Sequence, residues 1–200
     1  MALFGYGPRL LRALEGDEIL DFSQLDSGRS AWKSEPFPVR ELIAGATAAF
    51  AQPARVKGLT LTTELSPELP ALLIGDTGRL RQVVRILVGN AVKFTDQGGV
   101  TVRAHGQSEG NDTYLLKVTV LDSGPGVSSE TASRLFVPFT QADASHSRRY
   151  GGLGLGLAVA QQIVARMNGE IGVESGAGGG ATFWFTARFQ LNSEAGMANR

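Results

Sequence analysis

Apolar residues recur at helical spacing in two long segments of the chain. In the first segment, which follows Asp76, these residues are Leu80, Val83, Val84, Leu87 and Ala91. In the second segment, which runs from Leu155 to Met167, they are Leu157, Ala160, Ile163, Val164 and Met167. Asp76 can cap the first helix, and Asn168-Gly169 is typical of the end of the second. The pattern therefore predicts two amphipathic helices, each with one buried face.

Alternating apolar and polar residues predict several half-buried strands. The predicted strands are 59–65, 100–105, 116–120, 170–175 and 181–189. The polar segment 106–112 predicts a hairpin loop between the second and third of them. Half-buried strands together with amphipathic helices favour an α/β fold, in which one sheet is covered on one face. A two-layer α/β sandwich is the expected architecture.

Proline and glycine divide the rest of the chain. The alanine-rich segment from Val39 to Ala51 predicts another helix, which we expect Pro53 to stop. A short helix is expected at Ser129–Leu135. Residues 31–38 contain two prolines and predict a linker between a short helical segment at 1–30 and a main domain at 39–190. Residues 191–200 predict a tail.

Composition narrows the class of protein. The 200 residues include 19 basic and 19 acidic ones, and this balance argues against a dedicated nucleic-acid-binding protein. The chain has no cysteine, which excludes disulfides and thiolate metal sites. No segment approaches the roughly 18 to 20 consecutive apolar residues of a membrane span. We therefore expect a cytoplasmic domain that makes no membrane contact of its own.

The end of the first long helix carries three residues with ligand-binding chemistry. Asn90, Lys93 and Phe94 lie at i, i+3 and i+4, so an amide, an ammonium group and a ring are close together. An amide oxygen can complete a magnesium shell, a lysine can neutralise phosphate and a ring can stack on a base. Taken alone, the same residues also fit a solvated helix end with one core phenylalanine.

A carboxylate follows one of the predicted strands, in the segment Asp122-Ser123-Gly124-Pro125-Gly126. A carboxylate at a strand end can accept a hydrogen bond from an exocyclic amine. The glycines beside it let a planar ring lie against the backbone. A plain Asp-Gly turn explains the segment equally well when it is taken alone.

A glycine-rich loop, Gly151-Gly152-Leu153-Gly154-Leu155-Gly156-Leu157, runs directly into the second long helix. Free backbone amides and the helix dipole make such a position attractive to phosphate. The loop is not a Walker A motif, because no Gly-Lys-Ser/Thr follows, and it lacks the acidic residue of a Rossmann fingerprint. Arg148 and Arg149 precede the loop and add cationic donors that suit a triphosphate.

In this order and spacing, the three segments resemble the GHKL ATPase superfamily, and within it the catalytic domain of bacterial sensor histidine kinases, especially the hybrid type. The resemblance covers about 22–189. The matched boxes are the N box at 79–95, the G1 box at 122–126, the F box at 135–141, the G2 box at 152–157 and a final glycine box at 178–183. The resemblance implies the Bergerat ATP-binding fold, a two-layer α/β sandwich with a mixed sheet and helices on one face. It also implies ATP and Mg²⁺ as ligands.

The resemblance implies a role for each matched residue around the base. Asp122 would accept a hydrogen bond from the adenine amine, and Gly124 and Gly126 would shape the pocket. Phe94 would lie against the base. Thr182 would help to recognise the base through water.

Other roles implied by the resemblance concern the phosphates. Asn90 would hold the magnesium ion, and Lys93 would contact phosphate. The segment from Phe136 to Tyr150 would form a lid over the nucleotide, with Arg148 or Arg149 reaching the terminal phosphate. The residues that would wrap the phosphates are Gly152, Leu153, Gly154, Leu155, Gly156 and Leu157.

The activity implied is transfer of the γ-phosphoryl group of ATP to a histidine on a dimerisation domain, with the receiver domain of a response regulator downstream. His105 lies in a predicted strand and His146 in the lid, so we expect neither to be the acceptor. Residues 1–30 resemble a remnant of the second dimerisation helix. We therefore expect the chain to lack the acceptor helix and not to autophosphorylate alone.

Ile86 departs from the pattern of the kinases, which usually carry an asparagine one helical turn before the magnesium-binding one. At i and i+4, Ile86 and Asn90 share a helix face. Two interpretations remain: a harmless core substitution, or a nucleotide-binding regulatory (pseudokinase) module with weak or no phosphotransfer. A hydrolytic relative of the gyrase or chaperone type is disfavoured, because the Ile86 position offers no glutamate to activate water.

Overall fold

The computed structural model describes Ser23, Leu25 and residues 31–110, 112–140, 154–176 and 179–192. The helices between residues 31 and 192 are α1 (Val39–Ala48), α2 (Ala51–Val56), α3 (Thr77–Phe94), α4 (Ser129–Ala132) and α5 (Gly156–Arg166). The strands are β1 (Glu35–Pro38), β2 (Thr60–Leu65), β3 (Leu72–Gly75), β4 (Gly99–Gly110), β5 (Thr113–Asp122), β6 (Ile171–Ser175) and β7 (Ala181–Leu191). None of the helices within the described residues combines the length and apolarity that a bilayer-spanning segment needs.

The strands form one mixed sheet in the order β1-β3-β7-β5-β4-β2. Only the β2–β4 pair is parallel among the described strand pairs. Strand β7 pairs with β5 along one edge, while β6 and then β3 share its other edge. Because β7 lies in the centre of the sheet, it contacts strands that are far from it in the sequence, such as β3 and β5.

One face of the sheet is buried under the helices. Alternate residues of the central strands enter the core, namely Tyr114, Leu116, Val118 and Val120 of β5 and Phe183, Phe185, Ala187 and Phe189 of β7. They join a single apolar cluster with the buried faces of α1, α3 and α5. The residues between them, such as Lys117 and Thr119, are only half-buried. This arrangement confirms the predicted two-layer α/β sandwich with a mixed sheet.

The first long helix begins and ends close to its predicted limits. The Asp76 carboxylate accepts a hydrogen bond from the Arg79 backbone N–H at 2.9 Å, which caps the free amides of the first turn of α3. The buried side chains of α3 include Leu80, Val84 and Leu87, as the helical spacing predicts. A single 18-residue helix therefore carries the N box except for its last residue, Thr95.

Proline does not act as expected at two places. Residues 35–38 were predicted to lie in a linker, but they form β1, which pairs with β3 and buries Phe37. Because β1 is an edge strand, Pro36 and Pro38 need no second row of hydrogen bonds. Pro53 does not stop the preceding helix, which ends at Ala48; it lies in the first turn of α2, where a missing N–H is tolerated.

Two further predictions differ from the structure. The hairpin loop predicted at 106–112 is much shorter, because β4 continues to Gly110 and β5 begins at Thr113. Strand β3 was not predicted, since its four residues show no alternation of apolar and polar side chains. Both differences come from pairing with neighbouring strands, which stabilises segments whose own pattern is weak.

Candidate functional site

Asp122 lies at the end of β5, where the sheet meets the helical layer. Its Oδ1 accepts hydrogen bonds from the backbone N–H of Gly124 at 2.8 Å and of Ala181 at 3.3 Å. Burial raises the pKa of the carboxyl group, and the two backbone hydrogen bonds oppose this effect. The carboxylate is therefore held in one orientation by main-chain groups from two separate segments.

Two glycines allow this close approach. The Gly180 N–H donates to the Gly124 carbonyl at 2.7 Å, and a Cβ on Gly180 would collide with the Asp122 carbonyl. A Cβ on Gly124 would lie 2.9 Å from Asp122 Oδ1 and 3.2 Å from the Phe94 carbonyl. The G1 segment, the final glycine segment and the end of α3 therefore meet at Gly124. Gly126 adjoins the same contact, because a Cβ there would lie 3.0 Å from the Gly180 carbonyl.

Of the predicted residues of α3, Phe94 lies beside this junction, and Asn90 and Lys93 precede it in the last turns of the helix. Asn90 and Lys93 are half-buried, and Phe94 is 43% exposed. The Lys93 ammonium group is 5.1 Å from the centre of the Phe94 ring. Phe94 is therefore not a core residue, and the interpretation of this segment as a helix end with one core phenylalanine is wrong. The segment instead presents a partly open aromatic ring with a cation beside it.

Lys57, at the end of α2, fixes the same helix end and was missed in the sequence. Its ammonium group donates to the carbonyl oxygens of Val92 at 2.9 Å, Lys93 at 2.6 Å and Thr95 at 3.0 Å. The last carbonyls of a helix lack partners within the helix, and a cation there is favourable. No motif marks Lys57, because it lies more than 30 residues before the carbonyls that it binds.

The second part of the predicted site is the start of α5. No side chain caps this helix among the described residues, so the backbone N–H groups of its first turn face no side-chain acceptor there. Gly154 precedes it with a φ of +71° and is packed so closely on Thr140 that a Cβ would lie 2.6 Å from the Thr140 carbonyl. The end of the F box therefore touches the G2 box directly.

The side chains of Leu155 and Leu157 point into the protein. Leu155 is fully buried, and Leu157 packs against the core. Only the backbone of these residues, and of Gly156 between them, remains for a phosphate. Phe136, predicted as part of the lid, is half-buried. The other predicted residues of this region lie outside the described residues: Arg148, Arg149, Tyr150, Gly152 and Leu153.

Thr182 does not face Asp122, so the predicted role of its side chain beside the base is wrong. Thr182 pairs with Leu121 across β7 and β5, whereas the neighbouring Ala181 and Phe183 are buried on the helical side. Successive side chains of a strand point to opposite faces, so Thr182 lies on the face away from the helices. The residue that reaches Asp122 is Ala181, through its backbone N–H. The alternation of Phe183 and Phe185 was the signal that could have shown this.

Comparison with known proteins identifies the family to which this arrangement belongs. Residues 75–191 match the family described as histidine kinase-, DNA gyrase B-, and HSP90-like ATPase. The chain belongs to this family. The match covers the N box, the Asp122 segment, the start of α5 and the final strand.

Similar curated proteins are sensor kinases. The signal transduction histidine-protein kinase BarA of Escherichia coli (strain K12) is 40% identical over 176 residues, which cover 88% of this chain and 19% of BarA. The sensor histidine kinase GacS of Pseudomonas protegens is 39% identical over 170 residues, which cover 85% of this chain and 18% of GacS. The chain thus spans about a fifth of the length of these relatives.

Solved structures show the same fold. Full-length ShkA in complex with AMPPNP superposes with a TM-score of 0.76 and 31% identity, covering 96% of this chain and 40% of that one. The catalytic domain of histidine kinase ThkA superposes with a TM-score of 0.62 and 24% identity, covering 78% of this chain and 95% of that one. These findings confirm the GHKL fold and the sensor histidine kinase type that the ordered boxes predicted.

Proposed function

We propose that this domain binds Mg-ATP and transfers its γ-phosphoryl group to a histidine on a separate dimerisation domain. The observation that carries the proposal is the Asp122 carboxylate, which two backbone N–H groups orient at the junction of β5, β7 and α3. A half-buried, oriented carboxylate is a strong acceptor for the exocyclic amine of adenine. Gly124 and Gly126 leave room for the ring, and the open side of Phe94 supports stacking.

Phosphate binding is assigned to the uncapped start of α5 and to the cations near it. The N–H groups of residues 156–158 and the positive end of the helix dipole favour an anion. Lys93 adds a cation on the side of α3. Arg148 or Arg149 is proposed to reach the terminal phosphate. Positioning and charge neutralisation, rather than covalent catalysis, would then account for phosphoryl transfer.

A magnesium ion fits the available donors only as part of the nucleotide complex. The described residues contain no cluster of three or more His, Cys, Asp or Glu side chains that could form a protein cage. Magnesium typically binds one or two protein oxygens together with phosphates and water, and Asn90 offers such an amide oxygen. When bound, the ion supplies charge neutralisation at the phosphate oxygens. Asn90 is thus the proposed protein ligand.

The acceptor is proposed to belong to another domain. His105 belongs to strand β4 and not to a helix, as the sequence predicted. The relatives are several times longer than this chain, which leaves room for an acceptor domain and a receiver domain beyond the matched part. Leu25 lies buried against the domain, and its carbonyl accepts a hydrogen bond from Arg166 at 2.9 Å. This contact supports the proposal that the N-terminal segment is the end of a dimerisation helix.

A second candidate is a regulatory module that binds nucleotide with little transfer. It is favoured by Ile86, which lies one turn before Asn90 and packs against the core instead of presenting a polar group. Both candidates share the same nucleotide pocket. They differ only in whether label from ATP reaches an acceptor domain.

Isothermal titration of AMPPNP, with and without Mg²⁺, tests the shared pocket. We expect the parent chain to bind in the presence of Mg²⁺, and Asp122→Asn to weaken binding by about tenfold to a hundredfold, since a hydrogen bond to a charged group is lost. The matched control is Asp112→Asn, which changes an exposed carboxylate in the β4–β5 turn. A parent chain that binds no adenine nucleotide, or an Asp122→Asn variant that binds as tightly as the parent, would refute the proposal.

A further inference from the structure

Thr95 carries a buried hydroxyl group that the site described above does not use. The residue follows α3 and is 0% exposed, and its Oγ1 has no hydrogen-bond partner among the described residues. Its backbone is fixed on both sides, because its N–H donates to the Ala91 carbonyl at 3.1 Å and its own carbonyl accepts from Lys57 at 3.0 Å. Buried polar groups are almost always paired in folded proteins, so an unpaired one at a fixed position indicates a missing ligand atom or water.

The hydroxyl lies next to the carboxylate that is proposed to bind the base. A Cβ placed on Gly124 would lie 3.4 Å from Thr95 Oγ1 and 2.9 Å from Asp122 Oδ1. Both oxygens therefore border the space beside the α-carbon of Gly124. Because Gly124 has no side chain, no Cβ stands between the two oxygens.

The chemistry of adenine calls for a donor at this place. Its exocyclic amine donates, and the adjacent ring nitrogen N1 accepts. The nearest backbone N–H groups, those of Gly124 and Ala181, already donate to Asp122. Ala181 has no polar side chain, so the Thr95 hydroxyl is the donor left beside the carboxylate in this part of the described structure.

We propose that Thr95 is a specificity-determining residue for adenine, whose hydroxyl donates to N1 directly or through one water while Asp122 accepts from the amine. The proposal rests on the nucleotide-binding function argued above. It makes Thr95 and Asp122 a donor–acceptor pair that matches the acceptor–donor edge of adenine. A guanine base presents the reverse order on that edge and would fit poorly.

Replacement of Thr95 by valine separates this role from a structural one. Valine has nearly the same shape and removes only the hydroxyl. Because the hydroxyl is unpaired without nucleotide, we expect Thr95→Val to keep or raise the thermal midpoint of the free domain. At the same time, its dissociation constant for ADP should rise by about fivefold to thirtyfold, since one buried hydrogen bond to the ligand is lost.

Thr47→Val is the matched control. Thr47 is buried in α1, and its Oγ1 donates to the Ile43 carbonyl at 2.9 Å. This hydroxyl is paired within its own helix. We expect the control to leave ADP affinity unchanged and to lower the thermal midpoint or leave it unchanged.

A modified ligand identifies the atom that Thr95 contacts. In 1-deaza-ADP a C–H group replaces N1, so the parent domain should bind it less tightly than ADP by about fivefold or more. Thr95→Val should bind the two ligands equally, and Thr95→Ser, which retains a hydroxyl, should restore the preference for ADP.

Three results would overturn the inference: an unchanged ADP affinity in Thr95→Val, a retained preference for ADP over 1-deaza-ADP in that variant, or a large fall in its thermal midpoint. The last result would show that the hydroxyl has a structural partner. If the parent domain binds neither ligand, it is the nucleotide-binding function itself that fails.

Discussion

At the scale of single residues, the Asp122 carboxyl group is subject to two opposing effects. Burial raises its pKa, and the hydrogen bonds from Gly124 and Ala181 lower it by a smaller amount. The charged form, which is the better acceptor for an amine, is therefore harder to form than in an ordinary aspartate. Part of the stability of the free domain is given up to keep this acceptor in place.

The raised pKa predicts how nucleotide binding depends on pH. As the pH falls, Asp122 takes up a proton at a higher pH than an ordinary aspartate, whose pKa is about 3.9, and the amine loses its acceptor. We expect ADP affinity to decrease on acidification within the range where the domain is still folded. Titration calorimetry across this range measures the effect. The Asp122→Asn variant, which cannot titrate, should lack that part of the pH dependence.

The same shift predicts the effect of Asp122→Asn on the free domain. A carboxyl group whose pKa is raised by folding binds its proton more tightly in the folded state, so its contribution to stability falls as the pH rises through that pKa. Asparagine keeps an acceptor for both N–H groups and removes the buried charge. We expect the variant to be as stable as the parent, or more stable, in urea unfolding at neutral pH. A clear loss of stability would contradict this account of the carboxylate.

Gly180 predicts a second residue-scale effect. Its φ of +79° is costly for alanine, and the added Cβ would also collide with the Asp122 carbonyl. Gly110, in the β4–β5 turn, is the matched control, because its φ is +82° and nothing lies within 4 Å of an added Cβ. Both alanine variants should lose about 1 to 2 kcal/mol of unfolding free energy from the backbone strain. Only Gly180→Ala should also weaken ADP binding, as measured by calorimetry.

At the scale of secondary-structure elements, the end of α3 depends on a residue from another element. The Lys57 ammonium group donates hydrogen bonds to two carbonyls of the last turn of α3 and to the carbonyl of Thr95. The residues of that turn, Lys93 and Phe94, belong to the proposed nucleotide site. The position of these side chains therefore depends on how α2 places Lys57 beside the end of α3.

Lys57→Met tests this dependence, because methionine keeps most of the side-chain length and removes the charge. We expect a loss of about 1 to 2 kcal/mol in unfolding free energy, since a cation at a helix C-terminus is removed. Amide hydrogen exchange should quicken at residues 92–96, and ADP affinity should fall. Lys33→Met, which changes an exposed lysine, is the control and should show none of these effects. Unchanged exchange at residues 92–96 would show that the helix end is stable without the lysine.

At the scale of the whole molecule, the two faces of the sheet carry different groups of residues. The helical side of the sheet holds the apolar cluster and, at its edge, the junction of Asp122, Gly124 and Gly180. The other side of β5 and β7 carries Lys117 and Trp184, and the Lys117 ammonium group lies 5.2 Å from the centre of the Trp184 ring. Residues that are far apart in the sequence, such as Phe94, Gly124 and Gly180, therefore meet at one border of the sheet.

Ile86→Asn tests at this scale whether the domain catalyses transfer. We expect the variant to raise the rate at which label from ATP reaches an acceptor-bearing dimerisation domain, because a polar group is restored one helical turn before Asn90. The measurement is a phosphotransfer assay with both domains mixed, and Asn90→Ala is the negative control. If the parent already transfers label as fast as Ile86→Asn, isoleucine at this position is a harmless core substitution.

Sequence pattern predicted most of the elements and proposed a set of site residues. The spacing of Leu80, Val84 and Leu87 indicated α3, and Asp76 marked its start because both signals are local. Strand β3 and the strand character of residues 35–38 were missed, since pairing between distant segments creates them. Thr182 was assigned to the wrong side of the sheet, because box order says nothing about which face a side chain occupies.

The sequence by itself determined the family, the order of the boxes and the candidate residues of the proposed nucleotide site, because helix and strand periodicity and short motifs are encoded by neighbours along the chain. Only the tertiary structure decided that Lys57 holds the end of α3, that Ala181 rather than Thr182 reaches Asp122, and that no described residue pairs with the Thr95 hydroxyl. Each of these facts depends on strand order, register and helix packing. Those features bring together groups that lie tens of residues apart, and no local pattern records the contact.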